Sequence, residues 1–118
     1  MKDLLHKLIG ILKVELEDLE EDVDDLLKIL QHRKDEKEIT NYVYLENRSL
    51  LLNEIGAFKS LIHGLDTLDT GRFATQEEMF RDVDRLIHAR TRDSAFPEVV
   101  YSLVKRRLDK VVQYLKQQ

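Results

Sequence analysis

The sequence predicts an all-α protein: an up-down four-helix bundle with a long N-terminal helical hairpin and two shorter C-terminal helices. Apolar residues recur at steps of three and four along most of the chain, as on amphipathic helices, and no segment has the alternation of a strand. Only four glycines and one proline occur in 118 residues, and 36% of the residues are charged, which is typical of long solvated helices. We therefore expect one helical-bundle domain, residues 1–118, with more than roughly 70% of residues in helices.

The first helix is predicted from about Lys2 to His32. Its apolar positions form a single stripe: Leu5, Leu8, Leu12, Leu16, Leu19, Val23, Leu26 and Leu30. The polar segment 31–37 predicts the hairpin turn. Within it, Asp35 followed by Glu38 resembles a capping box that would begin the second helix.

The second helix is predicted from about Glu36 to His63, with Gly64 as the glycine that ends it. Its stripe consists of Tyr44, Leu51, Ile55, Phe58, Ile62 and Leu65. The consecutive leucines Leu50 to Leu52 widen the apolar surface to more than half of the circumference. Such a helix is usually central in its bundle or covered by another chain.

A loop is predicted from Leu65 to Ala74, since it contains Asp66, Thr67, Asp69, Thr70 and Gly71. Thr75 and Glu78 then form a capping box for a third helix that ends near Thr91. A break around Pro97 precedes the fourth helix. The apolar faces of these two helices are Met79, Phe80, Val83, Leu86 and Ile87, then Val100, Leu103, Val104, Leu108, Val111, Val112 and Leu115.

The composition narrows the classes of function. The chain has no cysteine, which excludes thiol nucleophiles and cysteine-based metal sites. No apolar stretch is long enough for a membrane span, and charges interrupt the N-terminal leucines, so we expect a cytoplasmic protein without membrane contact. The net charge of −4 provides no general attraction to nucleic acid, although residues 72–118 carry ten basic and seven acidic residues.

An acidic run extends from Glu15 to Asp25, where eight of eleven residues are acidic. On a helix these residues form two rows of carboxylates that repel one another. Three interpretations remain open: a solvated face, pairing with a basic helix, or a cation site. The candidate bases within the chain are Lys105, Arg106, Arg107 and Lys110.

No motif predicts a cofactor or a metal ion. The four histidines are scattered, the serines Ser49, Ser60 and Ser102 fall inside helices, and no glycine-rich phosphate loop is present. Helix 1 resembles half of the acidic pattern of all-α nucleotide pyrophosphohydrolases, but helix 2 offers only Glu46 and Glu54. We therefore predict neither cofactor nor metal.

One catalytic constellation remains. Arg81 and Asp82, followed by His88 just before the break, resemble the Arg-x4–6-His motif of HEPN-domain proteins, which are all-α and often metal-independent ribonucleases. The resemblance covers at most residues 79–118, and the tyrosine usual in that family shortly after the histidine is replaced by Arg90 and Arg92. It implies a site at a dimer interface in which the histidine acts as general acid or base and the arginine stabilises the phosphate.

The alternative that we favour is a noncatalytic protein-interaction role, as an adaptor or a chaperone. Residues 1–65, and the leucine-rich segment from Leu45 to Leu61 in particular, resemble flagellar and secretion export chaperones in composition. No diagnostic motif accompanies this likeness. The sequence leaves the pathway and the partner open.

Helix lengths predict where such a partner binds. The hairpin tip, from about Asp24 to Leu45, should extend roughly 15–20 Å beyond the shorter helices 3 and 4. An exposed apolar patch of this kind usually marks an interface. We expect a homodimer or a partner protein to contact Leu26, Leu30, Ile39, Tyr42, Val43, Tyr44 and Leu45.

Overall fold

The computed structural model describes residues 2–68 and 73–118, apart from the side chain of Lys2, and it confirms the predicted fold class. Four helices hold 85% of the described residues, none of which is in a strand. Their bounds are α1 Lys2–Asp35, α2 Asn41–Leu65, α3 Gln76–Asp93 and α4 Glu98–Lys116.

The helices form a closed ring in which consecutive helices are antiparallel. α1 packs against α2 and α4, and α3 packs against the same two neighbours. Side-chain contacts set the register: Lys13 on α1 pairs with Asp66 after α2, and Lys7 contacts Gln118 after α4. The molecule measures 56 × 29 × 18 Å, so it is much longer than a compact bundle of this size.

The hydrophobic core occupies one end of this rod, which we call the base: residues 2–23, 57–65 and helices α3 and α4. The α1 stripe is buried only as far as Val23. Buried core residues from all four helices fill the base: Leu5, Leu8, Leu12, Leu16, Leu19, Val23, Ala57, Phe58, Leu61, Leu65, Met79, Phe80, Val83, Ile87, Val100, Val104, Leu108, Val111 and Leu115, with Phe73 from the loop.

The hairpin turn differs from the sequence prediction. α1 continues to Asp35 and ends in a Schellman motif around Lys37, which has φ 60°. The side chain of Thr40, not of Asp35, caps α2 by accepting a hydrogen bond from the Val43 amide at 3.2 Å. Asp35 instead accepts from Gln31 within α1. The predicted cap at Asp35 was therefore wrong. Lys37 takes the left-handed position at the end of α1, where a glycine would have marked the helix end in the sequence.

Gly64 does not end α2, which also corrects the sequence prediction. It lies inside the helix and is buried. A Cβ atom at position 64 would lie 2.7 Å from Cδ of Arg90, whose Nη1 donates to the Ser60 carbonyl oxygen at 3.1 Å. The missing side chain thus makes room for an arginine that crosses from α3 to α2. In the predicted loop that follows, residues 69–72, with Asp69, Thr70 and Gly71, lie outside the described residues.

The capping prediction for α3 is confirmed. Thr75 Oγ1 accepts from the Glu78 amide at 3.1 Å, and Glu78 Oε2 accepts in turn from the Ala74 amide at 3.2 Å. At the other end of α3, Ala95 has φ 54°. The amide of Phe96 donates to the carbonyl oxygen of Thr91 at 3.1 Å, so this helix also ends in a Schellman motif with a non-glycine residue in the left-handed position.

Replacing Ala95 with glycine should raise the free energy of unfolding by about 0.5–1 kcal/mol, because glycine adopts positive φ without steric cost. Chemical denaturation measures the change. Ala89→Gly, in the middle of α3, is the matched control and should lower stability by about 0.5–1 kcal/mol. Equal effects at the two positions would contradict the left-handed geometry at Ala95.

Candidate functional site

The other end of the rod is a two-helix arm, residues 24–56, that no third helix covers. Only Tyr44 is buried among these 33 residues. Of the ten large hydrophobic side chains that are exposed among the described residues, seven lie in the arm: Leu26, Ile29, Tyr42, Val43, Leu45, Leu50 and Leu52. The α1 part of the arm, residues 24–35, is about 18 Å long, in agreement with the predicted extension of the hairpin tip.

A groove of about 420 Å³ runs between α1 and α2 of the arm, which we call the arm groove. It continues the surface of the hairpin that α3 and α4 cover in the base. Five apolar residues and three polar ones line it: Leu26, Ile29, Leu30, Leu50 and Leu51, with Arg33, Asn47 and Glu54. The groove therefore has an apolar floor with only two charged residues.

The predicted interface residues fall into three groups by their exposure to solvent. The first group is exposed and consists of Leu26, Tyr42, Val43 and Leu45. The second group is half-buried and consists of Leu30 and Ile39.

Tyr44 forms the third group, because it is 8% exposed and serves the hairpin itself. Its hydroxyl donates to Gln31 Oε1 at 2.6 Å, and Lys34 Nζ lies 4.3 Å from its ring centroid. We therefore leave Tyr44 out of the candidate surface.

The groove also includes Ile29, Leu50 and Leu51, which are not among the predicted interface residues. A signal was present, since Ile29 follows Leu26 by three residues and Leu50 follows Val43 by seven, which is one face of a helix in each case. A second, shallower depression lies along α2 and is lined by Tyr42, Leu45, Glu46, Ser49 and Leu50. Leu50 thus stands between the two depressions.

One of the two acidic rows of α1 is paired within the fold, as one of the three open interpretations proposed. Arg107 of α4 places Nη1 2.5 Å from Glu15 Oε2 and 2.8 Å from Asp18 Oδ2, and Nη2 3.7 Å from Asp22 Oδ2. Hydrogen bonds to Asp18 and Glu15 raise the pKa of the Arg107 guanidinium. This arginine links α4 to α1 near the end of the base that adjoins the arm.

The second acidic row lies toward α2 and solvent. Burial raises the pKa of the Glu20 carboxyl; the nearby Lys59 opposes this shift and Glu17 adds to it. Asp24 pairs with Lys28 one turn later, Nζ to Oδ2 at 3.3 Å. No group of three or more His, Asp or Glu side chains in the described part of the chain is arranged to hold a metal ion.

The residues of the ribonuclease alternative lie on α3, but His88 does not line the depression that Arg81 and Asp82 share. Arg81 lines two depressions, one with Lys105 and Asp109 and one with Asp82. His88, two turns farther along the helix, lines a third depression. One chain therefore does not bring Arg81 and His88 to a common cavity.

A polar network fills the surface between these two residues. Asp84 accepts from the Tyr101 hydroxyl at 3.1 Å, and Lys105 Nζ lies 3.8 Å from its other oxygen. Burial, followed by the hydrogen bond to Asp84, raises the pKa of Tyr101. The ring of His88 stacks on Tyr101 with centroids 4.4 Å apart. The network links α3 to α4, so a structural role accounts for the surroundings of His88.

Comparison with known protein families, with curated proteins and with solved structures gave no match to this chain. Among the described residues, none of the helices combines the length and apolar character that crossing a membrane requires.

Proposed function

We propose that this chain is a noncatalytic protein-interaction module, an adaptor or a chaperone-like protein, whose contact surface is the arm groove. One observation carries the proposal: the apolar surface of the α1–α2 hairpin is buried in the base and lines an open groove in the arm. The proposed setting is the cytoplasm, as expected from the sequence.

The division of the molecule into base and arm supports this role. The base contains the main hydrophobic core, against which Leu51 and Ile55 of the arm also pack. Seven other apolar residues of the arm stay in contact with water and therefore add little to the stability of a single chain. Exposed apolar surface of this extent usually marks a protein contact.

Affinity purification from the cells of origin tests the proposal. We expect proteins, or further copies of the chain, to co-purify with tagged wild-type protein and to be lost from Leu26→Asp, which places a charge on the groove wall. The matched control is Val14→Asp, because Val14 is 63% exposed on the same helix but outside the arm. Retention of every co-purifying protein by Leu26→Asp would contradict the proposal.

The alternative function, a metal-independent ribonuclease that uses Arg81, Asp82 and His88, leads to a separate prediction. We expect no cleavage of single-stranded RNA by the purified protein in the presence of a chelator, because Arg81 and His88 line separate depressions. Gel analysis of labelled RNA measures this. Cleavage that disappears in both His88→Ala and Arg81→Ala, and persists in His63→Ala, would establish the enzyme instead.

A further inference from the structure

We propose that the arm groove is covered by the arm groove of a second copy of this chain, with the two arms antiparallel about a twofold axis. The inference rests on the proposed function, since it names the partner of the same surface. Three features of the arm carry it: its helix count, its charges and its dimensions.

The arm is half of a four-helix bundle. In the base, the hairpin surface of α1 and α2 is covered by two helices, α3 and α4. In the arm the same surface continues without them, and its lining keeps the apolar character of the base through Leu26, Leu30 and Leu50. A four-helix arrangement in the arm therefore requires two further helices, and the arm of a second copy supplies two helices of equal length.

The charges of the groove determine the orientation of the arms. Arg33 and Glu54 are its two charged lining residues, and neither forms an ion pair within the described ranges. Burial raises the pKa of the Glu54 carboxyl, as expected for a carboxylate that lacks a compensating cation.

These two charges lie toward opposite ends of the groove. Gln31 is level with Tyr44, because their side chains are hydrogen-bonded, so Arg33 lies near the tip. Glu54 follows Tyr44 by ten residues and is thus about 15 Å nearer to the base. Antiparallel arms would place Arg33 of each copy opposite Glu54 of the other copy. Parallel arms would place like charges together, which is unfavourable.

The dimensions of the arm fit a weak dimer. The face is about 18 Å long and two helix diameters, roughly 20 Å, wide. Such a footprint, roughly 360 Å² on each copy, is below the size of standard interfaces and corresponds to a weak, transient contact. We therefore expect a dimer that is populated at tens of micromolar and dissociates on dilution.

Light scattering during size exclusion tests the dimer with the full chain. At tens of micromolar we expect an average mass clearly above the 14.0 kDa of one chain, which rises toward twice that value as the loaded concentration increases. Leu50→Asp should raise the dissociation constant by at least about tenfold and leave the circular dichroism spectrum helical. The matched control is Leu52→Asp, which lies about 160° around the helix from Leu50 and should leave the dimer intact.

A charge exchange tests the antiparallel arrangement. Arg33→Glu and Glu54→Arg should each weaken the dimer, because each creates two like-charged contacts. The chain carrying both changes should dimerise about as well as wild type. Parallel arms would instead leave both single variants close to wild type, and this result would overturn the orientation.

Failure of this inference is distinguishable from failure of the proposed function. A wild-type monomer at tens of micromolar overturns the homodimer. If co-purification of another protein is still lost in Leu26→Asp, the arm groove is the contact surface for a different partner. If the chain is a monomer and Leu26→Asp changes nothing in the purification, both proposals fail.

Discussion

Truncation of Leu61 to alanine should lower the free energy of unfolding by about 2–5 kcal/mol, the largest effect that we expect from a single change of this type. Leu61 is 1% exposed and lies where α2 meets the core of the base. Removal of its side chain leaves a cavity that the surrounding helices fill only in part, so transfer energy and packing are both lost. Urea denaturation followed by circular dichroism measures the change.

Leu52→Ala is the matched control, since it removes the same atoms from the same helix. Leu52 is 42% exposed in the arm, and its truncation should cost less than about 0.5 kcal/mol. It does not line the arm groove, so dimer dissociation does not enter the comparison. Similar losses for Leu61→Ala and Leu52→Ala would mean that the arm is as well packed as the base, which would remove the basis for the proposed interaction surface.

Helix positions were predictable because burial against a common core imposes a spacing of three and four on every helix. The stripe of α1 from Leu5 to Val23 is buried as expected. At Leu26 the same stripe becomes half exposed. The pattern of apolar residues does not change there. The exposure begins because α3 and α4 do not extend past this level of α1. Only the comparison of helix lengths in the sequence predicted this exposure.

Local details with no distinctive residue could not be predicted. Lys37 takes a left-handed conformation that glycine would usually take, so no residue type marks the continuation of α1 to Asp35. Gly64 suggested a helix end, but its role is to admit Arg90, a residue 26 positions later. At Gly64 the determining contact comes from a residue that is distant in the sequence, which the local sequence does not encode.

The paired acidic row shows the same limit at a larger distance. Four basic residues of α4 were candidates for pairing with α1, and their types do not distinguish them. The rotation of α4 about its own axis determines which basic residue pairs with α1. Arg107 faces Glu15 and Asp18, whereas Lys105 pairs with Asp109 in its own helix. The sequence therefore predicted that a pairing was available, and the fold determined which residue makes it.

Replacing Arg107 with glutamine should lower the free energy of unfolding by about 1–2 kcal/mol at low salt. Two close contacts to partly exposed carboxylates contribute up to about 1 kcal/mol each, and the three carboxylates of the row then repel without compensation. Arg106→Gln is the control, because the neighbouring Arg106 is exposed; its effect should stay within about 0.5 kcal/mol. The loss at Arg107 should shrink in about 1 M salt, where exposed charges are screened.

The sign of the stability change caused by a second substitution, Asp18→Asn, gives a sharper test of the pairing between Arg107 and the carboxylates. In the wild-type chain, Asp18→Asn should lower stability, because it removes a carboxylate that lies 2.8 Å from Arg107 Nη1. In the Arg107→Gln chain the same change should raise stability by a few tenths of a kcal/mol, since it now removes only repulsion from Glu15 and Asp22. Denaturation of the four chains gives the coupling between the two residues directly. If Asp18→Asn has the same sign in both chains, the carboxylate row is not held by Arg107.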